Sequence, residues 1–98
     1  MKKRTAIVTG ASGDIGGAIA ERLAADGYHL VLIGNKSKER LLEVADKCRE
    51  YAGQSGKTIF SMTGDLGEYT AAEVLLAEAI ERLQQVDLLV NCAGMAHI

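Results

Sequence analysis

The sequence predicts an α/β fold of three layers, in which helices cover both faces of a doubly wound parallel sheet. Short apolar runs alternate along the chain with stretches of helical periodicity. One run, residues 29–33, is apolar without alternation, as expected for a strand that is covered on both faces. Strand–helix units repeated in this way join parallel strands through right-handed crossovers.

The first predicted strand, residues 5–8, leads into a segment that holds four of the chain's eleven glycines: Thr9-Gly10-Ala11-Ser12-Gly13-Asp14-Ile15-Gly16-Gly17. Because glycine has no Cβ, such a turn brings backbone N–H groups against a pyrophosphate at the N-terminus of the next helix. That helix is predicted over residues 14–25, where Ile15, Ile19 and Leu23 recur at helical spacing. A turn that only joins a strand to a helix is the alternative interpretation.

Two other phosphate-binding patterns are absent from this segment. No Lys occurs between Lys3 and Lys36, which excludes the Gly-x-x-x-x-Gly-Lys loop. The Gly-x-Gly-x-x-Gly pattern is also absent, because Ser12 occupies the position of its second glycine.

The second strand, residues 29–33, is followed by a helix predicted over residues 38–52, with Ser37 as its N-cap. Its apolar residues recur on one face, which predicts that they turn inward: Leu41, Val44, Ala45, Cys48 and Ala52. A third, weaker strand is predicted over residues 57–62.

A third helix is predicted over residues 70–83, with four apolar residues on or near one face: Val74, Leu76, Ile80 and Leu83. The fourth strand, residues 86–90, leads into Asn91-Cys92-Ala93-Gly94. In a doubly wound sheet of order 3-2-1-4, a nucleotide binds where the order reverses, between strands one and four. The glycine-rich segment and residues 91–94 would therefore meet at one cleft, although they are far apart in sequence.

Composition and length exclude several classes of protein. The 98 residues make one domain at most, predicted as a single, partial dinucleotide-binding domain over residues 1–98. A formal charge of −2 does not suggest a nucleic-acid or membrane surface. The apolar run after Met1-Lys2-Lys3-Arg4 is too short for a secretory signal, which favours the cytoplasm. Cys48 and Cys92 are predicted to be reduced, buried thiols, and no metal site is expected.

Three segments resemble the N-terminal part of the short-chain dehydrogenase/reductase family: residues 9–16, Asp65-Leu66 and residues 88–94. Together they span nearly all of the chain in the family's order and spacing. Among the branches of the family, the chain is similar to bacterial 3-oxoacyl-carrier-protein reductases. The resemblance implies a Rossmann-like sheet, here truncated, and a nicotinamide dinucleotide cofactor for an oxidoreductase that acts on a carbonyl or an alcohol.

The resemblance also implies roles for individual residues. Gly10, Gly16 and the Ile15 N–H would face the pyrophosphate, Asp65 would accept from the adenine amino group, and the Leu66 N–H would donate to the ring. Asp65 has an alternative role as the cap of a helix or turn, and Asn91 has an alternative, purely structural role that ties the end of the fourth strand to its neighbours. The predicted cofactor-binding residues are Gly10, Ser12, Gly13, Asp14, Ile15, Gly16, Asn35, Lys36, Asp65, Leu66, Asn91, Ala93 and Gly94.

Asp14 departs from the pattern of the family. It stands where the short form, Thr-Gly-x-x-x-Gly-x-Gly, has its middle glycine. A carboxylate beside a pyrophosphate is repulsive unless it turns outward or caps the helix. Read as Thr9-Gly10-x-x-Gly13-x-x-Gly16, the segment fits the pattern of the longer, sugar-nucleotide epimerase branch of the family. The Asn-x-Ala-Gly sequence after the fourth strand is typical of the short-chain branch, and we assign the chain to that branch.

The region after the second strand bears on the choice of dinucleotide. A carboxylate about twenty residues past the glycines would bind the ribose 2′-OH of NAD. That position falls near Gly34, where there is no acid, and Asn35-Lys36-Ser37-Lys38 follow with donors and positive charge. These residues suit a 2′-phosphate and therefore favour NADP over NAD. The alternative interpretation of Lys36 is an exposed loop lysine that contacts only solvent.

The family's catalytic Ser and Tyr-x-x-x-Lys set has no counterpart in these residues, because none of Tyr28, Tyr51 and Tyr69 has a Lys four positions later. We therefore expect no catalytic residue here and no activity from the chain alone; a non-catalytic dinucleotide-binding or interaction module is the alternative function. The fourth strand would be an unpaired sheet edge, which predicts self-association through residues 86–90 or the thinly covered face.

Overall fold

The computed structural model describes residues 4–34, 37–53, 58–64, 67 and 69–92. Strands and helices alternate along them in this order: β1 (Thr5–Thr9), α1 (Asp14–Ala25), β2 (His29–Gly34), α2 (Lys38–Ala52), β3 (Ile59–Thr63), α3 (Tyr69–Leu83) and β4 (Leu88–Asn91). The predicted alternation of strands and helices is confirmed.

The four strands form one parallel sheet of order β3-β2-β1-β4. β1 lies at its centre, where Val8 is opposite Leu32 of β2 on one side and Val90 of β4 on the other. The order reverses between β1 and β4, as predicted. The carboxyl ends of these two strands therefore lie side by side.

One face of the sheet is covered by α1 and α2. The strands contribute Ala6, Val8, Leu30 and Leu32 to this core, and the inward residues predicted for α2 are buried in it, with Ala52 partly buried. α1 buries small residues instead: Gly16, Gly17, Ala20 and Ala24. Close approach of the helix to its neighbours selects glycine and alanine rather than bulky side chains at these buried positions. Ile15 lies on the other side of the helix and is exposed.

The other face of the sheet is covered by α3. Ala79 and Leu83 pack there with Ile7, Val31 and Ile33, and Leu75 and Leu76 border them. The predicted apolar face of this helix is therefore partly wrong: Val74 and Ile80 are 60% and 49% exposed. Residues 75, 79 and 83 are four apart and line one side of the helix, which turns Val74 and Ile80 away from the sheet.

Side-chain hydrogen bonds fix the start of β4 against β1, together with the backbone bond from the Asp87 N–H to the Thr5 carbonyl at 3.1 Å. The Thr5 N–H donates to Asp87 Oδ2 at 2.9 Å, and Thr5 Oγ1 donates to the Gln85 carbonyl at 2.7 Å. The strand consequently begins at Leu88, two residues later than predicted. β3 likewise begins at Ile59, and Lys57 lies outside the described residues.

Both cysteines are free. Cys48 of α2 is buried in the core, as predicted, whereas the predicted burial of Cys92 is wrong, because this residue is only partly buried at the end of β4. Burial, reinforced by the charge of Glu21, raises the pKa of the Cys48 thiol from 9.0 to about 11. No helix in the described part of the chain has the length and apolarity to cross a membrane.

The raised pKa of Cys48 predicts a loss of stability at alkaline pH. The unfolded chain releases the thiol proton near pH 9, whereas the folded chain retains it until about pH 11. Between these values the free energy of unfolding should fall by at most about 3 kcal/mol more in the wild type than in Cys48→Ala. Urea unfolding from pH 8 to pH 11 measures this difference, and parallel pH profiles for the two proteins would contradict it.

Candidate dinucleotide-binding site

The glycine-rich turn between β1 and α1 is held by its own backbone. Gly10 has φ 65°, a left-handed conformation that favours glycine. Its carbonyl accepts the Gly13 N–H at 3.1 Å, and the Ala11 N–H donates to Ile33 of β2 at 3.0 Å. The turn is thereby closed on itself and fixed to the end of the neighbouring strand.

Gly16 brings the first turn of α1 directly against this glycine-rich turn. A Cβ at Gly16 would overlap the Gly10 carbonyl oxygen and lie 2.8 Å from its carbon and 3.2 Å from Ala11 Cα. Since all three atoms belong to the backbone, a side chain could not be accommodated by a rotamer change. Only glycine allows the helix to begin at this place.

This arrangement suits a diphosphate. The N–H groups at the start of a helix have no intrahelical acceptor, and together with the helix dipole they form an anion-binding site. The first helical bond of α1 runs from the Gly17 N–H to the Gly13 carbonyl at 2.8 Å. The N–H groups of Asp14, Ile15 and Gly16 lie at the mouth of the turn, where no side chain is needed to bind a phosphate.

The end of β4 borders the same turn. Asn91 is paired with Thr9 in the sheet, and Thr9 Oγ1 donates to Asn91 Oδ1 at 2.7 Å. The Cys92 N–H donates to the Thr9 carbonyl at 3.2 Å. The predicted meeting of the glycine-rich segment with Asn91 is therefore confirmed, and the side chain of Asn91 ties the two strand ends together.

The end of β2 is closely packed around Gly34. A Cβ at Gly34 would lie 3.1 Å from Ser12 Oγ and 3.2 Å from Leu41 Cδ1. Ser12 of the turn and the first turn of α2 thus meet at the strand end where a dinucleotide-binding fold contacts the adenosine ribose. The chain places no carboxylate at Gly34.

Asp14 turns outward from the glycine-rich turn. Its carboxylate Oδ1 accepts a hydrogen bond from an Arg40 terminal nitrogen at 2.7 Å, and the two side chains are 93% and 49% exposed. Of the two orientations that would relieve repulsion from a pyrophosphate, the structure shows the outward one. The carboxylate is paired with a cation on the neighbouring helix.

The pairing of Arg40 with Asp14 is not predicted by the sequence. α1 and α2 lie on the same face of the sheet, and parallel strands bring their N-termini to the same edge. Opposite charges in the first turns of the two helices were the available signal in the sequence. The remaining predicted site residues lie outside the described ones: Asn35, Lys36, Asp65, Leu66, Ala93 and Gly94.

A parallel sheet of order 3-2-1-4, with a glycine-rich turn where the order reverses, defines an α/β protein of Rossmann-like fold. The family profile described as short chain dehydrogenase matches residues 4–98. The chain therefore belongs to the short-chain dehydrogenase/reductase family, as its motifs predict.

Three similar proteins illustrate the relationship. The chain is 34% identical over 91 residues to 1,6-dihydroxycyclohexa-2,4-diene-1-carboxylate dehydrogenase of Pseudomonas putida, covering 93% of this chain and 31% of that protein. A β-ketoacyl-[ACP] reductase from Bacteroides thetaiotaomicron superposes with a TM-score of 0.83 at 36% sequence identity, and the match covers 96% of this chain and 42% of that protein. A variant of actinorhodin polyketide ketoreductase, solved with NADPH, superposes with a TM-score of 0.80 at 34% sequence identity. The match covers 94% of this chain and 33% of that protein. The chain thus spans less than half the length of each relative.

The contact at Gly16 predicts a large effect of one methyl group. Gly16→Ala should lower the free energy of unfolding by about 3 kcal/mol, because the new Cβ meets backbone that cannot rotate away. Gly13→Ala is the matched control, since its Cβ would lie 3.4 Å from the Gly10 carbonyl oxygen, an ordinary contact. It should change stability by no more than about 1 kcal/mol. Equal urea midpoints for the two variants would contradict this prediction.

Proposed function

We propose that this chain is the cofactor-binding part of an NADP(H)-dependent oxidoreductase that interconverts a carbonyl and an alcohol, with a 3-oxoacyl thioester as a candidate substrate. The observation that carries the proposal is the backbone contact between Gly16 and Gly10, which lets α1 begin directly against the glycine-rich turn. The protein would work in the cytoplasm, as the sequence predicts.

The described residues support binding of a dinucleotide at three places. The N–H groups at the start of α1 would donate to the diphosphate. Thr9 and Asn91 would hold the two strand ends that border it. Ser12 and Gly34 would face the ribose without a carboxylate to repel a 2′-phosphate. When bound, the dinucleotide supplies the hydride, and the protein supplies its orientation.

The chemical step requires a proton donor within hydrogen-bond reach of the substrate oxygen. The 98 residues contain no Tyr-x-x-x-Lys sequence, so we propose that they bind cofactor without transferring hydride by themselves. A non-catalytic dinucleotide-binding module is the second candidate function. This second function rests on the same lack of a Tyr-x-x-x-Lys sequence in the 98 residues. A catalytic Tyr and Lys encoded in the same open reading frame would contradict it.

Calorimetric titration tests the binding function. We expect NADPH to bind about tenfold more tightly than NADH, because a 2′-phosphate adds charge-assisted hydrogen bonds of that order. Gly16→Ala should lose binding of both dinucleotides. Absence of binding for both would contradict the proposed function, and tighter binding of NADH would contradict only the preference for NADP(H).

We also propose that two copies of the chain associate through β4. Among the described strands, β4 pairs with β1 alone, and its other edge presents backbone N–H and C=O groups. Leu89 is paired with Ile7, on the α3 side of the sheet, and is 54% exposed. Exposed Val74 and Ile80 of α3 add apolar surface on that side.

A charge placed on this edge should weaken the association. Leu89→Lys introduces a cation at the exposed strand, where lysine opposes edge-to-edge pairing. We expect light scattering to show a dimer for the wild type at micromolar concentration and a monomer for the variant. Leu42→Lys, an exposed apolar position on α2, is the control and should leave the dimer unchanged. A monomeric wild type would contradict the proposal.

A further inference from the structure

The end of β3 packs directly against α3. Gly64 follows β3, and a Cβ at Gly64 would overlap Leu75 Cδ1 and lie 3.1 Å from Leu75 Cγ and 3.2 Å from Leu75 Cδ2. The whole isopropyl group of Leu75 therefore lies over the bare Cα of Gly64. Leu75 also borders the core that contains Ile7 and Ile33, so the core on this face of the sheet reaches the carboxyl end of β3.

Gly64 is joined to the glycine that ends β2. Its N–H donates to the Gly34 carbonyl at 3.0 Å. Gly34 is opposite Thr63 in the sheet, and successive residues of a strand point to opposite faces, so positions 34 and 64 face opposite sides. Leu41 of α2 lies on the first side, with its Cδ1 3.2 Å from a Cβ at Gly34, and Leu75 of α3 lies on the other. Two leucines from different helices thus hold the two bonded glycines between them.

This pair of glycines lies where the adenosine half of a dinucleotide would be bound. Ligands of open α/β sheets bind outside the carboxyl ends of the strands, and the end of the second strand contacts the adenosine ribose. The ends of β2 and β3 therefore form the floor under the adenosine. The diphosphate would be bound separately, at the start of α1, where the contact between Gly10 and Gly16 sets the geometry. Leu75 and α1 lie on opposite faces of the sheet, so a change at Leu75 should affect the adenosine half and spare the diphosphate.

We propose that Leu75 is a positioning residue for the adenosine half of the cofactor, and that it acts through Gly64. This inference rests on the proposed function. The part of the glycine is to let Leu75 close against the strand end. The packing of α3 thereby sets the distance between the floor under the adenosine and the helix start that binds the diphosphate.

ADP and inorganic pyrophosphate are the probes for this inference, because they share a diphosphate and differ in the adenosine. Calorimetry gives the ratio of their dissociation constants, which measures the contribution of the adenosine. Gly64→Ala should lower the advantage of ADP about tenfold, because the new Cβ displaces Leu75 and shifts the strand end. Leu75→Ala should lower it about threefold, because the strand end loses its support. The affinity for pyrophosphate should change by no more than about twofold in either variant.

The double variant Gly64→Ala/Leu75→Ala distinguishes positioning from general damage. The smaller side chain leaves room for the new Cβ, so the ratio should return to within about threefold of the wild-type value. Leu76→Ala is the matched control, because Leu76 borders the same core, whereas the three atoms nearest to a Cβ at Gly64 belong to Leu75. Gly64→Ala/Leu76→Ala should therefore keep the full loss.

An unchanged ratio in Gly64→Ala and Leu75→Ala would overturn the inference, and so would equal recovery in the two double variants. Equal weakening of ADP and pyrophosphate would also overturn it, since a general loss of structure acts on both ligands. Leu75→Ala only removes atoms, and its ratio decides the test if Gly64→Ala does not fold. A wild type that binds NADPH but binds ADP no more tightly than pyrophosphate would overturn the inference alone. Failure of the wild type to bind ADP, pyrophosphate, NADPH and NADH would overturn the proposed function as well.

Discussion

The contact between Gly16 and the Gly10 carbonyl is the constraint on which the site depends. It allows α1 to begin directly over the end of β1, so that the helix, the turn and the strand share one fixed geometry. The bond from the Ala11 N–H to Ile33 then fixes the turn relative to β2. From this backbone arrangement follow the small residues on the buried face of α1.

The Asp14 carboxylate shows how a departure from a motif can be compensated. Taken from the motif alone, a carboxylate in place of glycine predicts repulsion of a diphosphate. In the structure the acid turns away from the site and pairs with Arg40 of α2. An exposed pair of this kind contributes only about 0–1 kcal/mol to stability. Its structural effect is to hold the carboxylate away from the glycine-rich turn.

Helical periodicity predicts the inward face of α2. The sheet order and the meeting of Thr9 with Asn91 follow from the doubly wound fold type that the alternation of strands and helices indicates. The sequence does not predict the exposure of Val74 and Ile80, since an apolar side chain gives no sign of whether a second element will cover it. The Asp14–Arg40 pair also goes unpredicted. It depends on how two helices that are distant in sequence are placed side by side on the sheet, which local patterns do not specify.

The hydrogen bond between the Thr5 N–H and Asp87 joins residues 82 positions apart, and it fixes the start of β4 against the start of β1. Closing so long a loop costs chain entropy before any contact compensates it, and such non-local pairings form late in folding. We therefore expect the border of the site that contains Asn91 to be completed after β1, α1 and β2 have assembled. Nascent chains would acquire the diphosphate-binding turn first and the enclosing strand last.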